Sequence, residues 1–207
     1  MIGNECEQWN RRYSTEDWFF GHSPNQFLVE QIQQLCPSPK ARILSLGEGE
    51  GRDALWLARQ GFQVTAIDGS EVGLQKLNRV AKQENLVIET IHRDLANYEP
   101  MKGQFEFVLS FFCHLKPVLR SVVHHRAAQA LKPNGYLILQ AFAPGQRQEN
   151  LSSGGPKDIT MLYDTACLEQ DFAKYLEIIV LEERKVTIDC GRHQGKAIIT
   201  FFVGKLT

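Results

Sequence analysis

The sequence has little net charge, no long apolar run and no secretory signal, and each absence excludes a class of protein. Its 23 basic and 24 acidic side chains leave a net charge of −1, so no broad electrostatic surface for nucleic acid or an anionic membrane is expected. No apolar stretch approaches the roughly 20 residues that span a bilayer. The polar, acidic residues 1–8 lack the layout of a signal peptide. We therefore expect no membrane and no nucleic-acid partner.

The cysteines also lack a regular pattern. There are five, an odd number, and they are scattered at Cys6, Cys36, Cys113, Cys167 and Cys190. This usage favours reduced thiols over a disulfide framework and predicts a cytoplasmic location. No two cysteines have the short spacing of a zinc knuckle, so no metal site is predicted.

What is present is the composition of a folded domain. The 207 residues are 43% hydrophobic and 23% charged, which predicts one sizeable core and a single domain over residues 1–207. Within it, residues 1–38 are predicted to form an N-terminal helical lid, and residues 39–207 the core. The lid prediction comes from an aromatic cluster that precedes the amphipathic helix Gln26–Leu35, although such clusters also serve as ordinary core.

Apolar runs and helical spacing alternate along the core. The predicted strands are residues 41–46, 62–67, 86–91, 105–112 and 136–142, and helices are predicted over 52–60, 70–81 and 117–131. Residues 132–135 are predicted as a turn. Such βαβ alternation indicates an α/β, doubly wound, mostly parallel sheet with helices on both faces.

The last third of the sequence breaks this alternation. Residues 145–158 are polar and glycine-rich, which predicts a loop, and a helix is predicted over 165–174. Strands over 176–188 and 196–203, joined by residues 189–195, have no helix between them. We therefore expect an antiparallel hairpin at the end of the sheet.

The strongest chemical signal is the glycine-rich turn after the first strand, Gly47-Glu48-Gly49-Glu50-Gly51-Arg52. Glycines between a strand and a helix let the backbone approach a ligand closely. Asp68 follows the next strand, where an acid can accept two ribose hydroxyls. The turn therefore predicts a nucleoside-containing ligand.

Two ligands fit this pattern, a dinucleotide and S-adenosylmethionine. Arg52 stands where the dinucleotide fingerprint has its third glycine. Glu48 and Glu50 would repel a pyrophosphate, whereas they suit the sulfonium and ammonium of S-adenosylmethionine. A further acid, Asp94, follows the third strand, where it could accept the adenine amino group with Leu95 against the ring. These residues favour the methyl donor without excluding the dinucleotide.

With these residues in place, the chain resembles the Rossmann-like, class I S-adenosylmethionine-dependent methyltransferases. Within that class it is similar to the small tellurite-resistance-type and thiopurine-methyltransferase-like enzymes. The resemblance rests on the glycine-rich turn and on a set of shorter motifs. These motifs are Trp9-Asn10-Arg11-Arg12-Tyr13, Phe20-Gly21, Pro24-Asn25, Asp68, Asp94-Leu95, Phe112-Cys113-His114-Leu115, Leu131-Lys132-Pro133-Asn134-Gly135 and His193-Gln194-Gly195-Lys196-Ala197.

The resemblance implies a seven-stranded sheet with an antiparallel C-terminal strand, and it assigns the cofactor residues. Gly47, Gly49 and Gly51 would line the methionine part. Asp68 would bind the ribose, and Asp94 and Leu95 the adenine. The remaining members of the implied cofactor set are Tyr13 from the lid, Glu48, Arg52, Gly69 and Phe111. The implied cofactor is S-adenosylmethionine, with S-adenosylhomocysteine as the product.

The acceptor side is less defined by the sequence. The donor is already activated, so the protein mainly positions the nucleophile, and only a hydroxyl or ammonium-type acceptor needs a base. No catalytic residue is predicted. Candidate substrate contacts are Phe20, His114 after the fourth strand, Arg147 in the following loop, and His193 in the final hairpin.

The predicted function is methyl transfer to a small molecule. A thiol or a chalcogen oxyanion is the predicted acceptor. The Asn/Asp-Pro-Pro-Tyr sequence of enzymes that methylate nucleic-acid amino groups is absent after the fourth strand, which argues against a base of DNA or RNA. The alternatives are a nucleotide-dependent oxidoreductase and a non-catalytic S-adenosylmethionine-binding protein. The oligomeric state stays open.

Overall fold

The computed structural model describes residues 3–207; Met1 and Ile2, which the predicted lid includes, lie outside them. Seven strands form one sheet in the order β3-β2-β1-β4-β5-β7-β6. The strands are β1 Arg42–Leu46, β2 Gln63–Asp68, β3 Ile88–His92, β4 Phe105–Phe111, β5 Leu131–Phe142, β6 Glu177–Cys190 and β7 His193–Lys205. Strands β1 to β5 pair in parallel, and β7 runs antiparallel to both β5 and β6. The predicted α/β fold with its antiparallel C-terminal strand is confirmed.

Seven helices accompany the sheet within the described residues. They are α1 Gly3–Tyr13, α2 Gln26–Leu35, α3 Arg52–Arg59, α4 Glu71–Gln83, α5 Pro117–Ala130, the single turn α6 Gly145–Gln148 and α7 Thr165–Phe172; short 3₁₀ turns occupy Leu95–Asn97 and Ile159–Met161. Local chemistry sets their starts. Asn25 and Ser70 cap α2 and α4 through their side-chain oxygens, and Pro117 occupies the first turn of α5.

The two faces of the sheet are buried by different helices. Apolar residues of α2, α3 and α4 form one cluster with β1, β2 and β7. Residues of α5 and α7 form another cluster with the opposite side of the same strands. Neighbours on β1 show the alternation, because Ile43 belongs to the first cluster and Leu44 to the second. This is the two-sided burial expected of a doubly wound sheet.

Several predicted boundaries need correction. Strand β5 begins at Leu131, but residues 132–135 form an irregular segment within it, because the pairing with β4 passes from Leu131 directly to Tyr136 and Asn134 has a φ of +64°. The amide of Asn134 donates to the carbonyl of Leu206 (2.7 Å), and the amide of Leu206 donates to the carbonyl of Gly135 (2.9 Å). Strand β3 is Ile88–His92 and not residues 86–91. The hairpin connection is only Gly191 and Arg192, because β6 continues to Cys190 and β7 begins at His193.

The strand order reverses beside β1, which lies between β2 and β4. At such a switch point the helices leave on opposite faces, and a crevice opens beyond the carboxyl ends of the strands. The loops after β1, β2, β3 and β4 all reach this edge. No helix within residues 3–207 combines the length and the apolar character needed to cross a membrane.

Candidate cofactor and acceptor site

The turn after β1 is closely packed at its glycines. Gly49 has a φ of +66°, and a Cβ atom there would lie 2.6 Å from the hydroxyl of Tyr13. Gly47 has a φ of +65°, and a Cβ there would lie 2.7 Å from Sγ of Cys113. Any larger residue would therefore force the N-terminal helix or the loop after β4 away from the turn.

Several amides of this turn are used inside the protein. The amides of Gly47 and Glu48 both donate to the carbonyl of Ile67 on β2, at 2.9 and 3.1 Å. The amide of Gly49 donates to Oδ2 of Asp68 at 2.8 Å. A phosphate-binding loop presents such amides to its ligand. Here they join the turn to β2, which disfavours a pyrophosphate at this position.

Glu48 is directed into the protein. Its Oε1 accepts a hydrogen bond from the amide of Ala54 in α3 (2.9 Å), and its Oε2 pairs with the Ser45 hydroxyl. The carboxyl group thus occupies the N-terminus of α3, the position where an anionic ligand would bind. Burial, and then Asp53, raise the pKa of Glu48 to about 8. A carboxyl group with this pKa carries little negative charge at neutral pH, which argues against the expectation that Glu48 complements a cationic ligand.

Glu50 also acts within the protein. Its Oε2 accepts from the amide of Phe19 (2.7 Å), and its Oε1 forms an ion pair with Lys76 of α4 (2.7 Å). The residue is buried, with a relative exposure of 4%. Glu50 therefore fastens the N-terminal loop, residues 14–24, to the turn.

Asp68 lies at the end of β2, directly beside the turn. Its Oδ2 accepts from Gly49 and its Oδ1 from the amide of Ser70 (2.6 Å). Burial raises its pKa, and the two backbone donors counteract part of that effect. Each carboxylate oxygen has a second lone pair, so the group can accept ribose hydroxyls while it holds the turn. The neighbouring Gly69 is joined through its carbonyl to the imidazole of His92 on β3 (3.2 Å).

The residues predicted to hold adenine follow β3. Oδ1 of Asp94 accepts from the amide of Ala96 (2.9 Å) and so begins the short 3₁₀ turn. Leu95 is buried, at 1% exposure, in the apolar cluster on the α5 side. Both residues lie at the same edge of the sheet as Asp68.

Tyr13 ends α1 and is buried against the turn. Its ring stacks on Trp9 with centroids 5.4 Å apart, and its hydroxyl faces Gly49. Burial, followed by the negative charges of Asp68 and Glu50, raises its pKa. The hydroxyl therefore stays protonated and can donate a hydrogen bond at the centre of the site.

The N-terminal loop reaches from the turn to the tip of the β6–β7 hairpin. The carbonyl of Phe19 accepts from the amide of Arg192 (2.9 Å). A guanidinium nitrogen of Arg52 donates to the carbonyl of Phe20 (3.4 Å), and Arg52 lies 3.8 Å from Asp53. Arg52 thus joins α3 to the loop. The loop and the hairpin tip enclose the same side of the crevice.

His193, at the start of β7, is surrounded by aromatic rings. Its ring centroid lies 4.6 Å from Phe20, 5.2 Å from Phe142 and 5.9 Å from Phe112. Burial, and then the charge of Arg52, lower its pKa to about 4. Within residues 3–207 its imidazole has ring contacts and no hydrogen bond. Two predicted acceptor residues, Phe20 and His193, are thereby brought together.

His114 has a different environment. Its Nδ1 donates to the carbonyl of Met161 (2.8 Å), and its Nε2 accepts from the amide of Phe142 (3.2 Å). Burial lowers its pKa to about 4, although the bond to Met161 opposes this. Both nitrogens of the neutral ring are engaged by backbone groups. The ring therefore has no nitrogen left for the predicted contact with an acceptor.

The side chain of Arg147 is also hydrogen-bonded to nearby backbone groups. Its guanidinium donates to the carbonyls of Leu151 (3.2 Å), Gly154 (2.8 Å) and Pro156 (2.8 Å). These bonds order the loop after β5. The predicted role in holding an anionic acceptor is corrected, because the donors already serve backbone carbonyls.

Phe111, the last residue of β4, is half-buried against the cluster on the α2–α4 side. The next residue, Phe112, has a φ of +53°, and its amide donates to the carbonyl of Gln140 (2.7 Å). Three further residues shape this region without having been predicted as site residues. Gly73 allows α4 to approach the turn, Cys113 packs on Gly47, and Tyr163 binds the loop after β4. Cys113 lies in one of the motifs of the family resemblance, and Gly73 has a local signal, since a glycine inside a helix is unfavourable without a packing reason. Tyr163 has neither.

Residues 43–135 match the family model described as a methyltransferase domain. That segment contains the turn, Asp68, Asp94 and β4, the four features that meet at the crevice. The match covers 93 of the 207 residues and identifies a methyltransferase domain, in agreement with the predicted class I methyltransferase. S-adenosylmethionine is the cofactor of such enzymes, so the cofactor prediction is confirmed and the oxidoreductase alternative is disfavoured.

Individual relatives agree with this assignment. A probable S-adenosylmethionine-dependent methyltransferase of Haemophilus influenzae, TehB, is 35% identical over 69 residues, which cover 33% of this chain but only 24% of TehB. The crystal structure of TehB has a TM-score of 0.70 with 20% identity, covering 98% of this chain and 67% of that one.

Two further relatives extend the comparison. A probable thiol methyltransferase of Arabidopsis thaliana is 27% identical over 136 residues, covering 62% of this chain and 56% of its own. The N-methyltransferase NodS of Bradyrhizobium japonicum, solved with S-adenosylhomocysteine, has a TM-score of 0.71 at 14% identity, with 98% of both chains covered. At such identities the structural likeness demonstrates the shared fold.

Proposed function

We propose that the protein transfers a methyl group from S-adenosylmethionine to a small, soft nucleophile, either a thiol or a chalcogen oxyanion. The observation that carries the proposal is His193, a neutral imidazole among Phe20, Phe112 and Phe142. It lies beyond the donor-binding turn, on the side covered by the N-terminal loop. The similarity to TehB supports S-adenosylmethionine as the donor, and the similarity to a probable thiol methyltransferase supports a thiol acceptor.

The donor side of the site fits S-adenosylmethionine. Its glycine-rich turn forms a cradle that a Cβ atom would fill, and the amides that a diphosphate would need are engaged with β2. Bound S-adenosylmethionine supplies a methyl group on a sulfonium, which a nucleophile displaces in line. We assign Gly47, Gly49 and Gly51 to its methionine part, Asp68 to the ribose, and Asp94 and Leu95 to the adenine.

The acceptor side combines aromatic walls with positive charge. The guanidinium of Arg12 lies 4.5 Å from the Trp9 ring, and that of Arg192 lies 5.3 Å from the Phe19 ring. Positive charges on Arg52 and Arg12 also contribute to the low pKa of His193. A thiolate or an oxyanion is stabilised in such a field, whereas an ammonium acceptor is repelled. The apolar rings favour a soft, weakly hydrated nucleophile.

His193 orients the acceptor. With a pKa of about 4, the imidazole is uncharged at neutral pH and presents a lone pair as a hydrogen-bond acceptor. A thiol that donates to this nitrogen has its sulfur lone pairs free to face the donor. The nearby arginines lower the pKa of the thiol, so its proton leaves to solvent before the lid closes. The resulting thiolate then forms its S–C bond to the methyl group as the S–C bond of the sulfonium breaks, which would leave neutral S-adenosylhomocysteine.

The N-terminal region serves as a lid in this proposal. Residues 14–24 contact the turn through Glu50 and the hairpin through Arg192, so their closure brings the donor and acceptor sides together. A closed lid excludes water from the reacting atoms. Entry of either ligand therefore requires the lid to open.

Calorimetry and a turnover assay test the proposal in two stages. The protein should bind S-adenosylhomocysteine, and it should methylate members of a panel of thiols, selenite and tellurite in preference to amines. A folded protein that binds neither S-adenosylmethionine nor its product would contradict the donor assignment. Donor binding without turnover across the panel would support the non-catalytic alternative instead.

A histidine series tests the acceptor assignment. His193→Ala should lower kcat/KM for the acceptor by about 10²-fold while it leaves the affinity for S-adenosylhomocysteine within a few fold. His125→Ala is the matched control, because that ring packs on Tyr175 of the α7 region, away from the crevice. Unchanged turnover in His193→Ala would remove this residue from the acceptor site.

A further inference from the structure

Tyr163 connects the loop after β4 to the rest of the sheet. It is completely buried, and its hydroxyl serves two backbone groups of that loop. It donates to the carbonyl of Cys113 (2.9 Å) and accepts from the amide of Leu115 (2.7 Å). These two backbone groups lie just after the end of β4 and have no partner in the sheet. One hydroxyl therefore supplies the hydrogen bonds that both of them need.

The loop held in this way borders both halves of the site. Sγ of Cys113 faces the turn, at 2.7 Å from the position of a Cβ on Gly47. Phe112, the preceding residue, contacts the ring of His193. A displacement of this loop would therefore move a wall of the donor cradle and a wall of the acceptor site together.

Tyr163 itself is held firmly. Its amide donates to the carbonyl of Phe142 (3.0 Å), and its carbonyl accepts from the hydroxyl of Thr200 on β7. The phenol ring packs against His124 on α5, with centroids 5.5 Å apart, and His124 in turn pairs with Asp171 of α7 (2.7 Å). The hydroxyl thus has a position fixed by β5, β7 and α5.

We propose that Tyr163 is a positioning residue for methyl transfer: by bridging Cys113 and Leu115 it sets the loop after β4 against the glycine-rich turn. This inference rests on the proposed function. It concerns a residue outside the segment matched by the family model, and Tyr163 acts through the loop. Residues that hold a site in place control how well it is organised for its ligand.

The test is Tyr163→Phe, with Tyr136→Phe as the matched control. Tyr136 is a half-buried tyrosine of β5 stacked on Phe107, far along the strand from the loop. In Tyr163→Phe, S-adenosylhomocysteine should bind about tenfold more weakly, and the Leu115 amide should exchange its hydrogen faster. Amides of β4 such as Val108 should keep their protection. Tyr136→Phe should match the wild type in both measurements.

Other outcomes decide against the inference. Affinity for S-adenosylhomocysteine within twofold of the wild type in Tyr163→Phe overturns it, as does an equal loss in Tyr136→Phe. If Tyr163→Phe fails to fold, Thr200→Val is the second variant. It keeps the phenol hydroxyl but removes the hydrogen bond that Thr200 donates to the carbonyl of Tyr163, so the affinity for S-adenosylhomocysteine should fall about threefold. An unchanged affinity in Thr200→Val again overturns the inference. If the wild-type protein binds no donor, the proposed function is refuted. If the Leu115 amide of the wild type also exchanges its hydrogen without protection, the hydrogen bond from Leu115 to Tyr163 is refuted as well.

Discussion

The side chain of Asn10 on α1 completes the N-terminal cap of α4 by accepting a hydrogen bond from the Ser70 hydroxyl at 2.7 Å. The same oxygen accepts from the amide of Val72 at 3.2 Å, and Ser70 in turn accepts from the amide of Gly73. Since Asn10 and Tyr13 are three residues apart, they lie on one face of α1. The cap therefore holds α1 in the orientation that places Tyr13 on Gly49.

Gly73→Ala should destabilise the protein, although glycine to alanine inside a helix normally stabilises by about 0.5–1 kcal/mol. The added Cβ would lie 2.7 Å from the carbonyl oxygen of Gly49 and 3.0 Å from Cδ2 of Tyr13. We expect a loss of about 1–3 kcal/mol in the free energy of unfolding, measured by urea denaturation, and weaker binding of S-adenosylhomocysteine.

Gln75→Ala is the control for this change. Gln75 lies on the exposed side of the same helix, so alanine there should leave both quantities near the wild type. A Gly73→Ala protein more stable than the wild type would show that α4 does not press on the turn.

Gly191→Ala should weaken the contact between the hairpin and the N-terminal loop. A Cβ at Gly191 would meet the carbonyl of Phe19 and lie 2.7 Å from the amide of Gly21. Chymotrypsin should therefore cleave faster at residues 18–20 of the loop. Gly195→Ala is a matched control on the same hairpin, since its φ is also positive (+107°) but nothing lies within 4 Å of the new Cβ.

The expected contrast is specific to the loop. Both alanines carry the cost of a left-handed backbone, about 1–2 kcal/mol, but only Gly191→Ala displaces Phe19. Equal cleavage rates in the two variants would contradict the proposed lid contact.

Glu48→Gln should alter how stability depends on pH. The folded pKa of Glu48, about 8, lies above its ordinary value of 4.5 because of burial and Asp53. As the pH rises from 5 to 8, the unfolded chain releases this proton and the folded one retains it, so this group lowers stability with rising pH. Glutamine cannot ionise, and the variant should gain about 1 kcal/mol or more on the wild type across that range.

Urea denaturation at pH 5, 6.5 and 8 measures the effect. Glu84→Gln is the comparison, because Glu84 is exposed and its pKa is lowered by hydrogen bonding to Arg59, which gives no loss of stability as the pH rises. A Glu48→Gln profile parallel to that of the wild type would show that Glu48 is ionised in the folded protein.

Asp68→Asn should weaken binding of S-adenosylhomocysteine by about 1–3 kcal/mol, as measured by calorimetry. An amide presents an NH₂ group to one of the two backbone donors, Gly49 or Ser70, so some folding stability should be lost too. Asp158→Asn is the control. It removes the charge of an exposed residue that caps a 3₁₀ turn and is not part of the crevice, so donor affinity should stay at the wild-type value. Donor affinity equal to that of the wild type in Asp68→Asn would exclude Asp68 from the site.

The fold was predictable because its signals are local. Hydrophobic runs, the Ser70 cap and Pro117 define strands and helices within a few residues. The early start of β5 has a non-local cause, since Asn134 and Gly135 are hydrogen-bonded to Leu206, more than seventy residues later. A Lys-Pro-Asn-Gly sequence is typical of a turn, and Asn134 does keep a left-handed φ of +64° within the strand.

The site was predictable in position and less so in its contacts. The glycine spacing and Asp68 identify the crevice, because the carboxyl ends of the parallel strands meet at one edge of the sheet, and this does not depend on how the side chains are oriented. The direction of Glu48 and Glu50 depends on Ser45, Ala54 and Phe19, which no local pattern links to the turn. Tyr163 gives no sequence signal at all, since its function requires a loop some fifty residues away.

The match to the methyltransferase domain ends at residue 135 and begins at residue 43, so it contains Gly47, Asp68 and Asp94 but neither Phe20 nor His193. In the proposed site, most donor contacts therefore lie inside the matched segment, whereas Phe20 and His193 lie outside it and Tyr13 is the donor-side exception. An exchange of residues 18–25 together with the hairpin tip, which leaves Tyr13 in place, is therefore expected to change the methyl acceptor while the methyl donor is kept.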